Sequence, residues 1–379
     1  MVSNRIPFNR VCFAGPELAY IGQAVLNMKV AGDGPFCKQC HEWFERTLGV
    51  RKALLTTSCT HALEMTALLA DVREGDEIIV PSFTFVSTAN AFALRGAKLV
   101  FADIRPDTMN MDEKLLPDLI TDRTKAIVPV HYAGIGCEMT AICDLAGKNG
   151  IMVIEDNAHG LLGKYKGRWL GTFGEMATLS FHETKNIACG EGGAILVNDE
   201  GLVERAEIIR EKGTDRARFF RGQVDKYTWV DVGSSWLPSD LLAAFLWAQL
   251  EAAQLIQEAR MKIWKRYDAE LADWAKRHSV QTPFIPEECE PAWHLYYLLL
   301  PDLDARQRFI AYLEEQGIYA VFHYQPLHNT PVAKRLGDGK AHCPVTESAA
   351  DRLVRLPFYN HMTNAEQERV IEAVRNFQV

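Results

Sequence analysis

Two polar residues stand where apolar segments of the chain end. Asp156 follows the aliphatic run 151–154, and Lys185 lies among small residues between two further apolar runs. Ligands of open α/β sheets bind outside the carboxyl ends of the strands, so we expect the two side chains to share one site. A lysine amine can bond to an aldehyde carbon, and a carboxylate can keep a pyridine nitrogen protonated. The pair therefore predicts a site for pyridoxal 5′-phosphate, with Lys185 as its Schiff-base lysine.

Short apolar runs alternate with amphipathic segments along the first two thirds of the chain. The predicted strands are 52–55, 77–80, 98–101, 126–130, 151–154, 178–181 and 194–197. Alternation of this kind predicts an α/β fold with a mostly parallel sheet that is covered by helices on both faces.

After Asp240 the pattern changes to that of a smaller α+β unit. We predict one long helix over 241–264, strands over 294–300 and 319–324, and helices over 305–316 and 365–376. We therefore divide the chain into a large domain, residues 1–250, and a small C-terminal domain, residues 251–379. The large domain includes the N-terminal segment and most of the interdomain helix.

Composition excludes several classes of protein. The chain has 379 residues, 48% of them hydrophobic, and a net charge of −8, which argues against binding to nucleic acid. No apolar run approaches the ~20 residues that span a membrane, and the first six residues show no signal-peptide pattern. The nine cysteines are therefore expected to be reduced, and the protein to be cytoplasmic. We predict no metal site.

One motif could suggest a different chemistry. Cys37, Cys40 and His41 match the spacing of a covalent haem site, and the two cysteines alone match a redox pair. Haem attachment of this kind needs export, for which we find no signal, and the segment continues as an amphipathic pattern through Leu48. We interpret it as the start of a helix.

The chain resembles the DegT/DnrJ/EryC1 family of sugar-nucleotide aminotransferases almost end to end. Four segments carry the resemblance, namely 81–90, 129–134, 155–160 and 180–193. Further runs at 181–186, 210–214 and 220–229 are most similar to family members that make dTDP-4-amino-4,6-dideoxygalactose. The resemblance implies the aspartate aminotransferase-type fold (PLP fold type I), with a seven-stranded sheet in the large domain, and a homodimer whose subunits share active sites.

The resemblance also implies a reaction. An amine would pass from L-glutamate to dTDP-4-keto-6-deoxyglucose, giving dTDP-4-amino-4,6-dideoxygalactose and 2-oxoglutarate. The setting would be surface polysaccharide assembly of the enterobacterial common antigen type. In this scheme Lys185 moves the proton between cofactor and substrate carbon.

Roles for the remaining cofactor contacts follow from the same resemblance. Asp156 would hold the pyridine nitrogen, His159 would lie against the ring, and Phe85 would cover its other face. The phosphate would meet Cys59, Thr60, Ser180 and, from the neighbouring subunit, Ser235. The residues 57–60 also suit a helix N-terminus, where free amides bind anions. Relatives often carry Gly at the position of Cys59 and Asn at that of Ser235.

Substrate contacts are less specific in the sequence. Glu191 could bind sugar hydroxyls or only hold the lysine loop in place. His323 and His328 belong to a segment that resembles the family's substrate-side motif, and His328 is the leading candidate. A basic and aromatic run over 212–229 could meet the nucleotide or form an ordinary solvated face.

Several alternatives stay open at this point. A 3-aminotransferase, or an enzyme for UDP- or GDP-linked sugars, would differ only in loop sequences. One sequence does not show which of these loop residues decide the aminated carbon or the nucleotide. A sugar dehydratase of the same fold would carry His in place of Lys185. A non-catalytic regulator could also use this fold, although Lys185 and Asp156 argue against it.

Overall fold

The computed structural model describes residues 5–337 and 339–379. Residues 1–4, on which the signal-peptide prediction partly rests, lie outside that range. The strands are β1 (Lys52–Thr56), β2 (Glu77–Pro81), β3 (Lys98–Ala102), β4 (Thr124–Ile127), β5 (Met152–Asp156), β6 (Lys164–Tyr165), β7 (Arg168–Trp169), β8 (Met176–Ser180), β9 (Gly193–Val197), β10 (Cys289–Glu290), β11 (Tyr297–Leu299), β12 (Val321–Phe322) and β13 (Leu353–Arg355).

Helices cover the sheet and build most of the C-terminal part. They are α1 (Glu17–Leu26), α2 (Pro35–Leu48), α3 (Cys59–Leu69), α4 (Val86–Ala93), α5 (Leu116–Leu119), α6 (Met139–Asn149), α7 (Glu200–Arg210), α8 (Arg216–Phe220), α9 (Asp240–Glu251), α10 (Ala253–Arg277), α11 (Leu303–Glu315), α12 (Pro331–Leu336), α13 (Pro344–Arg352) and α14 (Asn364–Asn376). Within the described residues, no helix combines the length and apolar character needed to cross a membrane.

The large sheet has the strand order β1-β9-β8-β5-β4-β2-β3. Neighbouring strands of this sheet are parallel, except that β9 is antiparallel to both β1 and β8. All seven predicted strands are present, with ends displaced by a few residues. The α/β aminotransferase-type fold predicted from the sequence is confirmed.

Side chains alternate between the two faces of this sheet, and each face has its own core. In β2, Ile78 and Val80 pack with α3 and α4, whereas Ile79 packs on the opposite side with Ile127 and Val153. Both faces are apolar because helices cover both, which is why the strands are continuous hydrophobic runs in the sequence. Such double coverage leaves only the strand ends open to a ligand.

The C-terminal unit has a separate core around α10, α14 and the small sheet β11-β13-β12. Ile6 of the N-terminal segment belongs to this core and bridges to Ile318, although we had assigned the segment to the large domain. The single helix predicted over 241–264 is two helices that meet at Ala252, whose φ/ψ of −93°/6° ends α9. The break lets α9 pack on α1 and α2 while α10 packs on α14.

The Cys37–His41 motif forms part of α2, as predicted. Both thiols are buried, and burial raises the pKa of Cys37 to about 12. Nε2 of His41 accepts a hydrogen bond of 2.9 Å from the amide of Leu55, which ties α2 to β1. These residues therefore stabilise the packing of the helix against the sheet.

Candidate active site

Three strands that run in the same direction end together at one edge of the large sheet. β1 ends at Thr56, β5 at Asp156 and β8 at Ser180. The segments that follow these strands, together with side chains of the C-terminal unit, line a cavity of about 510 Å³. Lys185 and Asp156 both line it, so the structure brings together the two residues from which the site was predicted.

The cavity also collects most of the other residues that the sequence analysis assigned to a site. Those that line it are Lys185, Asp156, Cys59, Thr60, Phe85, His159, Ser180, Glu191 and His323. Ser235 and His328 are not among the lining residues, and their positions are described below.

The carboxylate of Asp156 is buried and held by two hydrogen bonds. The Thr88 hydroxyl donates to Oδ2 at 2.7 Å, and the amide of Ala158 donates to Oδ1 at 3.2 Å. The hydroxyl of Thr84 lies 2.9 Å from that of Thr88 and helps to orient it. Burial raises the pKa of Asp156, while these bonds and the nearby Lys185 oppose the rise. A cation against this carboxylate would relieve the cost of burying its charge.

Lys185 lies in the loop between β8 and β9. Its amide donates to the carbonyl of His182 at 2.8 Å, which closes a tight turn beneath the side chain. Burial lowers the pKa of Lys185 to about 8, although Cys59 and Asp156 act in the opposite direction. Roughly a tenth of this amine is therefore unprotonated at pH 7, and the unprotonated form is the one that can bond to a carbonyl carbon.

The start of α3 offers an anion site beside these two residues. Ser58 caps the helix by accepting from the amide of His61 at 3.1 Å, so the amides of Cys59 and Thr60 belong to its first turn. A Cβ on Gly193 would stand 2.4 Å from the amide nitrogen of Cys59. The glycine thus lets β9 approach the helix start without covering the amides.

Three histidines extend from the end of β5 toward the C-terminal unit. His159 stacks on His294, with ring centroids 4.1 Å apart, and lies nearly parallel to His323 at 6.3 Å. Burial lowers the pKa of all three, so they are neutral. Among the described residues, Nδ1 of His159 is buried and has no hydrogen-bond partner. His294 Nδ1 lies 2.8 Å from Oδ1 of Asn186 and so steadies the residue after Lys185.

Two predicted contacts lie at the rim of the cavity. Phe85 directly precedes α4 and is 59% exposed, so its ring is available to cover a bound group. Glu191 lies 3.8 Å from Nε2 of His182, across the lysine loop. This contact suits the role of holding the loop, and Glu191 also lines the cavity.

The sequence pattern of the DegT/DnrJ/EryC1/StrS aminotransferase family matches residues 16–375. The chain belongs to this family.

Relatives of known sequence or structure agree with this family membership. The spore coat polysaccharide biosynthesis protein SpsC of Bacillus subtilis is 34% identical over 351 residues, 90% of each chain. The crystal structure of the aminotransferase TlmJ from Streptoalloteichus hindustanus has a TM-score of 0.89 and 28% identity, and the match covers 98% of both chains. A protein from Streptococcus pneumoniae described as a sugar aminotransferase, solved in a PLP-form, has a TM-score of 0.89 and 25% identity, with 98% of both chains covered.

Two residues that the family resemblance had suggested lie outside the cavity. Ser235 is exposed and forms a backbone bridge with Glu211. His328 has a side chain only 5% exposed, because Nδ1 lies 2.6 Å from the Ser82 hydroxyl and Nε2 lies 3.1 Å from Glu347. Both ring nitrogens of His328 are thus engaged within the chain, and this geometry corrects its placement as the leading substrate contact.

The basic run after α7 is largely neutralised by acids. Arg216 pairs with Glu211, and Arg221 pairs with Glu207 at 2.7 Å. The aromatic side chains of this segment are exposed instead, with Trp229 at 76%. The segment therefore offers aromatic surface more than free positive charge.

Sequence reasoning missed several cavity residues. Thr84 and Thr88 fall inside the run 81–90 that carried the family resemblance, so their segment was found without their role. His294 was placed only as the start of a strand. Arg355 gave no signal, because it comes from the far end of the chain and reaches the cavity only through the fold.

Proposed function

We propose that the protein is a pyridoxal 5′-phosphate-dependent aminotransferase of nucleotide-linked 4-keto-6-deoxy sugars. The observation that carries the proposal is the presence of the Lys185 amine and the buried Asp156 carboxylate in one cavity, beside the free amides at the start of α3. The PLP- and PMP-forms of the Streptococcus pneumoniae structure support the same cofactor.

The residues present fit this cofactor at three points. The amides of Cys59 and Thr60 suit a phosphate, with the Thr60 hydroxyl beside them, 2.8 Å from that of Ser87. Asp156 suits a protonated pyridine nitrogen, since burial makes an opposite charge favourable there. His159, Phe85 and Lys185 line the same cavity, and the exposed ring of Phe85 is available to cover a flat group bound there. When bound, the cofactor supplies an electron sink for the carbon that loses its proton.

The chain's own residues then have defined tasks. Lys185 Nζ, about half of which is unprotonated near pH 8, accepts a proton from the substrate carbon and returns it to the neighbouring position. Asp156, fixed by Thr88, holds the positive charge of the ring nitrogen in place. The neutral histidines His159, His294 and His323 line the cavity without adding charge.

For the substrate we propose dTDP-4-keto-6-deoxyglucose with L-glutamate, giving dTDP-4-amino-4,6-dideoxygalactose and 2-oxoglutarate. Three sequence runs, at 181–186, 210–214 and 220–229, support this choice. The role of the Bacillus subtilis relative in spore coat polysaccharide biosynthesis supports a role in surface polysaccharides, for which we propose the enterobacterial common antigen type. The nine free thiols are consistent with a cytoplasmic setting, which we also propose.

We further propose a homodimer in which Ser235 reaches the site of the neighbouring subunit. In support, Leu18 and Leu26 of α1 are about four fifths exposed, at 80% and 77%. Trp229, which is close to Ser235 in the chain, is also exposed. Exposed large apolar side chains such as these are candidates for a surface between subunits.

The decisive experiment incubates the purified protein with L-glutamate and a panel of dTDP-, UDP- and GDP-linked keto sugars. We expect amination at C4 of the dTDP sugar with the galacto configuration, determined by NMR of the product. Lys185→Ala serves as the control and should give no product. Amination at C3, or preference for a UDP or GDP sugar, would refute the named substrate, and no amination of any keto sugar would refute the proposed activity.

A further inference from the structure

Asn186, the residue after Lys185, is held at both polar atoms of its side chain. It is only 6% exposed. Its Nδ2 donates a hydrogen bond of 2.6 Å to the carbonyl of Ala292, and its Oδ1 lies 2.8 Å from Nδ1 of His294. Because Nδ2 is the donor to Ala292, Oδ1 is the acceptor, so Nδ1 of the neutral His294 ring carries the hydrogen. Asn186 thus ties the lysine loop to residues 292–294, which precede β11.

The segment 292–294 is strained at its centre. Trp293 has a φ of 54°, in the left-handed region that is unfavourable for a residue with a side chain. Ala292 before it and His294 after it both bond to Asn186. A strained residue of this kind persists only where the surrounding contacts hold it, and such residues cluster at functional sites. The two ends of the strained segment share one partner, and that partner is Asn186.

Arg260 of α10 holds the strained segment in this shape. Its Nε donates to the carbonyl of Trp293 at 2.9 Å, and its Nη2 donates to the carbonyl of His294. Its Nη1 donates at 2.7 Å to Oδ1 of Asn360, whose Nδ2 in turn donates to the carbonyl of Asn186 at 3.4 Å. The buried guanidinium therefore supports Asn186 along two routes, through the strained segment and through Asn360.

We propose that Asn186 is a positioning residue for Lys185, an assignment that rests on the role of Lys185 in the proposed function. The amide of Lys185 is bonded to the carbonyl of His182, which fixes the backbone on that side. Asn186 fixes the backbone on the other side through Ala292 and His294. The amine then needs only its own side-chain torsions to reach a carbonyl carbon, so less entropy is lost when the bond forms. Positioning of this kind favours a partner that bonds to Lys185 over one that only occupies the cavity.

The test measures how tightly the full chain holds two forms of the cofactor. Pyridoxal 5′-phosphate carries an aldehyde that can bond to Lys185, whereas pyridoxamine 5′-phosphate carries an amine there and cannot. In equilibrium dialysis, Asn186→Leu should weaken the binding of pyridoxal 5′-phosphate about tenfold or more and that of pyridoxamine 5′-phosphate less than about twofold. Asn149→Leu, which removes an exposed amide bonded within α6, is the control and should change neither affinity.

A comparison in Lys185→Ala separates positioning from general damage. Without the amine there is nothing to position, so Asn186→Leu should then change the affinity for pyridoxal 5′-phosphate less than about twofold.

Two changes at His294 keep the assignment testable even if Asn186→Leu folds poorly. His294→Leu removes the donor to Asn186 and should reproduce the loss that is specific to pyridoxal 5′-phosphate. His294→Asn places an amide nitrogen near the position of Nδ1 and should restore this affinity to within about threefold of the wild type.

Each other outcome has a distinct meaning. Equal loss for the two forms, the same loss with and without Lys185, or no loss at all would overturn the positioning role of Asn186 while the proposed function stands. An affinity for pyridoxal 5′-phosphate that Lys185→Ala leaves unchanged would overturn both proposals, because Lys185 would then form no bond to the cofactor.

Discussion

The hydroxyl of Thr88 donates a hydrogen bond of 2.7 Å to Oδ2 of Asp156. Thr88 lies in α4 and Asp156 at the end of β5, so the bond joins two elements that are distant in the chain. It is one of the interactions that keep the pKa of this buried acid from rising further. The proposed cofactor contact thus depends on a residue with no charge of its own.

Thr88→Val should weaken catalysis through Asp156. Without the hydroxyl the pKa of Asp156 rises, so its ionised form is lost at a higher pH. We expect kcat/KM to fall about tenfold, as for the loss of one hydrogen bond to a charged group, and the acid limb of its pH profile to move upward. Thr88→Ser keeps the hydroxyl and should keep the profile. An unshifted acid limb in Thr88→Val would contradict the role.

Lys185→Met should stabilise the cofactor-free protein at pH 7. The pKa of Lys185 is about 8 in the folded state against an ordinary value of 10.5, so the folded protein carries the cost of a buried ammonium ion below pH 8. Methionine removes that cost, and we expect a gain of about 1–3 kcal/mol in the free energy of unfolding. The gain should shrink above pH 8 and vanish by about 10.5.

Urea unfolding at pH 7 and at pH 10 measures this effect. Lys38→Met, which changes an exposed lysine of α2, is the control and should show no comparable pH dependence. A Lys185→Met variant that is less stable than the wild type at pH 7 would mean that the amine is not buried at such a cost.

Gly193→Ala should damage the phosphate site. The added Cβ would stand 2.4 Å from the amide nitrogen of Cys59 and 2.4 Å from the carbonyl carbon of Ser58, so the start of α3 must move. We expect affinity for pyridoxal 5′-phosphate to fall about tenfold or more, measured by equilibrium titration of the cofactor absorbance. The loss should be much smaller for pyridoxal, which has no phosphate.

Gly147→Ala is the matched control for this substitution. A Cβ on Gly147 meets nothing within 4 Å, and alanine favours the helix α6 in which it lies. Equal loss of affinity for pyridoxal and its phosphate in Gly193→Ala would point to general damage rather than to the anion site.

His328→Ala should affect stability more than substrate binding. The ring joins Ser82, which follows β2, to Glu347 of α13, and its side chain is nearly buried. We expect a loss of about 1–3 kcal/mol in the free energy of unfolding, with KM for the sugar nucleotide within about twofold of the wild type. His342→Ala, at an exposed position, is the control. A large rise in KM with unchanged stability would restore His328 as a substrate contact.

Much of the fold and the centre of the site can be predicted from the sequence. The seven strands were found because a doubly covered sheet needs continuous apolar runs, and these are visible locally. Asp156 and the segment 57–60 were found because strand ends and helix starts have local signals as well. Lys185 was placed with them because all these segments leave the sheet at the same edge.

The remaining features depend on contacts between parts of the chain that are far apart. The break at Ala252 follows from α9 and α10 packing on different neighbours, which helix periodicity alone does not show. Histidine is a common ligand-contact residue, so the sequence alone does not separate His328 from the substrate contacts. In the structure, Ser82 and Glu347 engage both of its ring nitrogens within the chain. Arg355 has no distinguishing signal in the sequence, and only the fold places it at the cavity. The sequence determined which groups can do chemistry, and the tertiary structure decided which of them come into contact.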